Sequence, residues 1–189
     1  MKWTIPNTLT VIRLFATLLV PIAFLYFTRP LADWVALIIF TLAAVTDYLD
    51  GYLARLWKQH SRFGAMLDPI ADKAMVIIAL LVISGFSGMD PWLLLPATAI
   101  IFREVFVGGL REYLAGKTVD LKVTYIAKWK TTMQMASIAW LFGAGIFDYA
   151  WIWTVGITML TISAAMTVYT GWDYLMKAMP HLRDKGAGE

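Results

Sequence analysis

Six apolar stretches, each close to the length needed to cross a hydrocarbon core, leave this chain little choice of fold. They run near Leu9–Phe27, Trp34–Leu56, Met66–Phe86, Pro91–Leu114, Trp129–Phe147 and Trp151–Met176. A spanning helix needs roughly 17–25 residues, whereas a barrel strand needs only roughly 9–11. In lipid every backbone polar group must be satisfied inside the protein, so segments of this length are helices. The expected class is all-α integral membrane, with six transmembrane helices. Composition points the same way. Hydrophobic residues make up 60% and charged residues 15%, against about half and roughly a quarter in a soluble domain. The mean hydropathy is +0.67. One domain over residues 1–180 is expected, followed by a polar tail at 181–189. The first apolar run is too long for a signal peptide and no small-x-small cleavage site follows, so it reads as retained.

The loop charges give the orientation. Lys2, Arg55, Lys58, Arg62, Arg111, Lys117, Lys122, Lys128, Lys130, Lys177, Arg183 and Lys185 fall at one end of the segments. The other end has Arg29 among Asp33, Asp90 and Asp148, with Trp34, Trp92, Tyr149, Trp151 and Trp153 as interfacial anchors. The positive-inside rule places both termini in the cytoplasm, as an even number of spans requires. The expected location is a bacterial-type inner membrane, crossed several times. Asp33 and Asp148 read as ordinary interfacial acids. Nothing in this pattern calls for a nucleic-acid partner.

No Cys is present and only His60 and His181 supply imidazole. Thiolate chemistry is excluded, and any bound metal is held by oxygen, which suits magnesium, manganese or calcium. Oxygen donors are concentrated at one place. Asp47 and Asp50 end the second segment, and Asp68 and Asp72 begin the third. Spacings of three and four put each pair on one helix face. A short connection, near Trp57–Gly64, joins two antiparallel helices and lets four carboxylates converge. Unpaired, they would be costly at that depth. One or two divalent cations would neutralise them and would also bind substrate phosphates. Gly51, Ala54 and, in the turn, Gly64 leave room for a bulky ligand. Arg55 offers a bidentate fork to a phosphate.

The block Asp47-x2-Asp50-Gly51-x2-Ala54-Arg55-x8-Gly64-x3-Asp68-x3-Asp72 resembles the signature of the CDP-alcohol phosphotransferase family, with eight specified residues over 26 positions. The six-span layout extends the resemblance to nearly the whole chain. The family implies a pair of metal ions, magnesium or manganese, on Asp47, Asp50, Asp68 and Asp72. It implies that Asp72 also acts as the base on the acceptor hydroxyl. Gly51, Arg55 and the position of Ser61 would contact the CDP-linked donor, beside the small residues Ala54 and Gly64. A homodimer is implied as well.

Three further stretches resemble the branch of that family whose acceptor is glycerol 3-phosphate. They are Ile5-Pro6-Asn7-x2-Thr10-x2-Arg13, Arg103-Glu104-x6-Arg111-Glu112 and Lys128-Trp129-Lys130-Thr131-x2-Gln134. The expected reaction takes CDP-diacylglycerol and sn-glycerol 3-phosphate to phosphatidylglycerophosphate and CMP. A phosphate-bearing acceptor needs cations beyond those serving the donor. Arg103, Arg111, Lys128 and Lys130 are the candidates, although Lys128, Lys130 and Arg111 also fit simple interfacial anchoring, and Glu104 or Glu112 could pair Arg103 structurally. Asn7, Thr10 and Arg13 suit either the donor diphosphate or capping and anchoring of the first helix. Two alternatives stay open. One is the same chemistry with inositol phosphate, phosphatidylglycerol or serine as acceptor, and the other is a carboxylate-based cation transporter.

Overall fold

The computed structural model describes residues 5–57, 62–114, 125–147 and 149–182, with the backbone alone at 5–6, 48–57, 62, 125–128 and 181–182. Every element among them is a helix: α1 (Ile5–Tyr26), α2 (Leu31–Trp57), α3 (Arg62–Phe86), α4 (Pro91–Leu114), α5 (Tyr125–Phe147) and α6 (Ala150–Leu182). The expected all-α class is what the chain adopts. Three helices, Asn7–Tyr26, Pro91–Leu114 and Ala150–Pro180, are long and apolar enough to cross a membrane by length and composition. The other three hold the four aspartates of the expected site and part of its basic set. Asp33, Asp47, Asp50 and Arg55 lie on α2, Asp68, Asp72 and Lys73 on α3, and Lys128 and Lys130 on α5.

Several helices extend beyond the apolar segments. α3 starts at Arg62 rather than Met66, so Gly64, expected in the turn, lies in the first turn of that helix. α5 starts at Tyr125, and α6 continues through Pro180 to Leu182. Hydropathy marks where lipid contact begins, while backbone hydrogen bonding continues into the polar interface.

Packing does not follow chain order. α1 lies against α2 and α3, α2 against α5, and both α4 and α5 against α6. The buried stripe of α2 is Ala32, Ala36, Phe40 and Ala43, so three alanines let neighbouring helices approach closely. It meets Met75, Ala79 and Ile83 of α3 and Ile138 and Phe142 of α5 in one core. Phe142 stands at 6.3 Å from Phe24 and 6.1 Å from Phe40, ring centre to ring centre, tying α1, α2 and α5 together. Phe15, Leu25, Leu81, Leu95 and Phe102 point outward, an apolar surface suited to lipid.

At the end of the bundle that holds the α1–α2 and α3–α4 connections, Arg29 donates from Nε and NH2 to the two oxygens of Asp33, at 2.7 and 2.9 Å. Asp33 is only 2% exposed. It is therefore not the interfacial acid that its position near a helix start suggests. Burial is tolerable because the guanidinium satisfies both of its oxygens. The pair presses on Gly145 of α5, where a Cβ would collide with Asp33 Oδ1 and Arg29 NH2. The tight turn from α3 to α4 uses Gly88 at φ 68°, a conformation that glycine adopts without steric cost.

Candidate functional site

The opposite end of the bundle is organised from α1. Asn7, Thr10 and Arg13 recur every three residues and are all buried, so one polar stripe of an otherwise apolar helix faces inward. The Thr10 hydroxyl donates to Asp68 Oδ1 at 2.7 Å. Arg13, whose side chain is 0% exposed, donates from NH1 to Asp47 Oδ1 at 2.5 Å and to Asp72 Oδ1 at 3.0 Å. A guanidinium buried this deeply in a helical bundle requires carboxylates, and here it has one from α2 and one from α3. Both carboxylates remain more than two-fifths exposed. Their other oxygens are open to a ligand.

Three of the four expected aspartates are thus held by α1. Asp50, Gly51, Ala54 and Arg55 lie on the last turns of α2, where their side chains are outside the described residues, and Ser61 is outside them altogether. Among the described residues no three carboxylate or imidazole groups close around a single point. Even so, the donor set is all oxygen, and Asp47 and Asp72 are near enough to share one cationic nitrogen. That chemistry and proximity fit a hard divalent cation.

Beside the aspartates lies a cavity of about 310 Å³. Its walls bring Asp47 and Asp72 together with Arg103 and Arg111 of α4 and Lys130 of α5. Three of the four expected acceptor cations are therefore in one place, and the side chain of Lys128 lies outside the described residues. Glu104 organises this wall. Its Oε1 accepts from Arg103 NH1 at 2.9 Å and from Lys130 Nζ at 2.7 Å. Arg103 is paired, as the sequence allowed, but the carboxylate that pairs it also reaches across to α5. The Arg111 guanidinium stands over the ring of Tyr174 on α6, at 5.4 Å from its centre.

The cavity also holds residues to which sequence reasoning assigned no role. Lys73 follows Asp72 directly and lines the same space, as does Gln134. Gln134 stands in a stretch singled out for its resemblance, but only the lysines there suggested a function. The signal for Lys73 was Gly108: a Cβ at that glycine would collide with Lys73 Nζ. Gly108 and Gly145 each admit a neighbouring helix's or turn's side chain, whereas Gly109 and Gly143 have open space beside them.

A second opening, about 510 Å³, runs between α2 and α5. It is lined by Phe40, Ala44, Val45, Met135 and Ala136 and ends at Asp47. A largely apolar opening, with Thr41, Thr131 and Thr132 also in its lining, thus adjoins Asp47.

Comparison with known proteins agrees with this arrangement. A family model described as CDP-alcohol phosphatidyltransferase matches residues 3–169. A protein of Cereibacter sphaeroides named CDP-diacylglycerol–glycerol-3-phosphate 3-phosphatidyltransferase is 53% identical over 98% of this chain and 100% of its own length. Proteins of the same name from Shigella flexneri serotype 5b and Escherichia coli K12 are 40% and 39% identical, again over 98% of this chain and their full length.

Proposed function

The chain belongs to the CDP-alcohol phosphatidyltransferase family, and on that premise we propose that it transfers the phosphatidyl group of CDP-diacylglycerol to sn-glycerol 3-phosphate. The products are phosphatidylglycerophosphate and CMP. The observation that carries this reading is the shared cavity, in which Asp47 and Asp72 face Arg103, Arg111 and Lys130. Carboxylates suited to a metal and cations suited to a phosphate-bearing acceptor open onto one space.

Asp72 takes the proton of the acceptor hydroxyl, its ordinary role as a general base. The hydroxyl oxygen bonds to the lipid-bearing phosphorus as the bond to the bridging oxygen of CMP breaks. CMP leaves with that oxygen and its electron pair. Arg13 and Thr10 hold Asp47, Asp72 and Asp68 in place, so the carboxylates need no reorganisation before reaction. Asp47, Asp50, Asp68 and Asp72 are the residues that would hold divalent metal, magnesium or manganese, as the family generally does. Bound there, metal supplies charge neutralisation at the diphosphate and a better leaving group. Gly51, Ala54, Arg55, Ser61 and Gly64 serve the CDP end of the donor, with Asn7 nearby. Its acyl chains enter through the α2–α5 opening. Arg103, Arg111, Lys128 and Lys130 serve the acceptor phosphate.

The protein works as one helical unit in a bacterial inner membrane, with both termini and the site on the cytoplasmic side, and as a homodimer. The test is CMP release by purified protein with CDP-diacylglycerol and magnesium across a panel of alcohols. Release dependent on glycerol 3-phosphate is expected. Release with inositol phosphate, phosphatidylglycerol or serine instead would overturn the acceptor. No release with any alcohol, together with cation movement into sealed vesicles, would overturn the enzyme.

A further inference from the structure

Building on the acceptor reading above, we infer that Lys73 and Gln134 also recognise the acceptor, beside the cations assigned to it there. The Lys73 ammonium takes the phosphate, and the Gln134 amide oxygen accepts a hydrogen bond from the hydroxyl that does not react.

Lys73 adds to the cations assigned to the acceptor, and it differs from them in its pairing. Arg103 and Lys130 both donate to Glu104 Oε1, so the three side chains form a paired group in the wall. Arg111 stands over the ring of Tyr174. Lys73 differs: among the described residues it has no carboxylate within ion-pair reach. Its Nζ occupies the space that Gly108 leaves by lacking a Cβ. A lysine led past a glycine into a cavity shared with Asp72, and without a counter-ion among the described residues, presents a point charge to an anion.

Gln134 carries an independent signal. It is 3% exposed, and its Oε1 has no hydrogen-bond partner among the described residues. A buried acceptor left in this state costs about 1–3 kcal/mol, and native proteins rarely tolerate one. The cavity supplies the remedy, because a hydroxyl bound there would donate to it. An acceptor with one phosphate and two hydroxyls engages all three side chains: the phosphate meets Lys73, one hydroxyl meets Asp72, and the other meets Gln134.

The experiment compares glycerol 3-phosphate, glycerol and 3-hydroxypropyl phosphate as acceptors for the purified full-length protein, with CDP-diacylglycerol and magnesium. Lys73→Met is expected to raise KM for glycerol 3-phosphate by about tenfold or more, as expected for one charge-assisted hydrogen bond, with KM for the donor changed less than about twofold. Gly108→Ala should act in the same direction without lowering the unfolding midpoint, because the added methyl meets only the mobile end of the lysine. It should add nothing to Lys73→Met. Gln134→Met should cut kcat/KM for glycerol 3-phosphate by about tenfold or more and leave 3-hydroxypropyl phosphate unchanged, because a site built to bond a hydroxyl discriminates against its absence.

Equal changes in both KM values for Lys73→Met, or none, would overturn the phosphate assignment. An undiminished preference in Gln134→Met would overturn the hydroxyl assignment. Either result would leave wild-type turnover of glycerol 3-phosphate standing. Wild-type protein that ignores glycerol 3-phosphate while using another alcohol would remove the acceptor reading and this inference with it.

Discussion

Arg13 on α1 reaches Asp72 on α3 with a single nitrogen that also holds Asp47 on α2. The first helix, the most apolar of the three candidate spans, therefore carries the internal counter-ion of the aspartate site. Arg13→Ala leaves two carboxylates without their cation, each bond being worth about 1.5–3 kcal/mol. Turnover should fall by about a hundredfold or more, and the unfolding midpoint should drop. Arg13→Lys keeps the charge but loses the planar fork, and should retain more activity than alanine. Initial rates of CMP release and thermal unfolding in detergent decide this. Wild-type turnover in Arg13→Ala would show that the aspartates hold their geometry unaided.

Asp72→Asn removes the proposed base while keeping the side chain's size. CMP release should fall by about a thousandfold, within the range typical of general-base removal, with the protein still inserted and folded. Near-normal turnover in that variant would remove Asp72 from the role.

Treatment with a chelator should bring CMP release to background, and added magnesium or manganese should restore it, since the site offers only oxygen donors. Thr10→Val tests the support of one donor. It deletes the hydroxyl that bonds Asp68, so the metal concentration for half-maximal activity should rise by about threefold to tenfold, the effect of one lost hydrogen bond. An unchanged metal requirement in Thr10→Val would mean that Asp68 is positioned by other groups.

Glu104→Gln should destabilise the bundle by about 3 kcal/mol, because it strands the buried Lys130 and Arg103 beside one another. Adding Lys130→Met should recover part of that loss, since the second change removes the stranded charge. Unfolding midpoints of the two single variants and the double variant measure it. Additive losses would contradict the pairing.

Gly145→Ala acts at the far end. Its methyl would collide with the Arg29–Asp33 pair, and overpacking of this kind costs about 1–3 kcal/mol. Stability should fall while the rate of CMP release per folded molecule stays at the wild-type value. A loss of rate without a loss of stability would mean that the two ends of the bundle are coupled.

Much of this protein is written locally. Six apolar runs in a chain without Cys determine a helical membrane bundle, because lipid allows no other open-chain solution. Asp47, Asp50, Asp68 and Asp72 flank one short connection at helical spacings, so their convergence on one end follows from the antiparallel turn alone. The cluster of Arg and Lys at that same end is equally local. Other features depended on how each helix is rotated and which neighbour it meets, and no periodicity encodes that. Arg13 turns to the aspartates because α1 lies against both α2 and α3. Glu104 joins Arg103 to Lys130 only because α4 and α5 both pack on α6 and bring those side chains to one wall. Asp33 reads as an interfacial acid until Arg29 folds over it. Lys73 carries no local signal of a role, and only Gly108, thirty-five residues later, opens the space for its ammonium. Local pattern set which residues share a helix face and an end of the bundle, while side-chain pairing across helices awaited the packing, because burial makes each charge choose a partner that only the assembled bundle supplies.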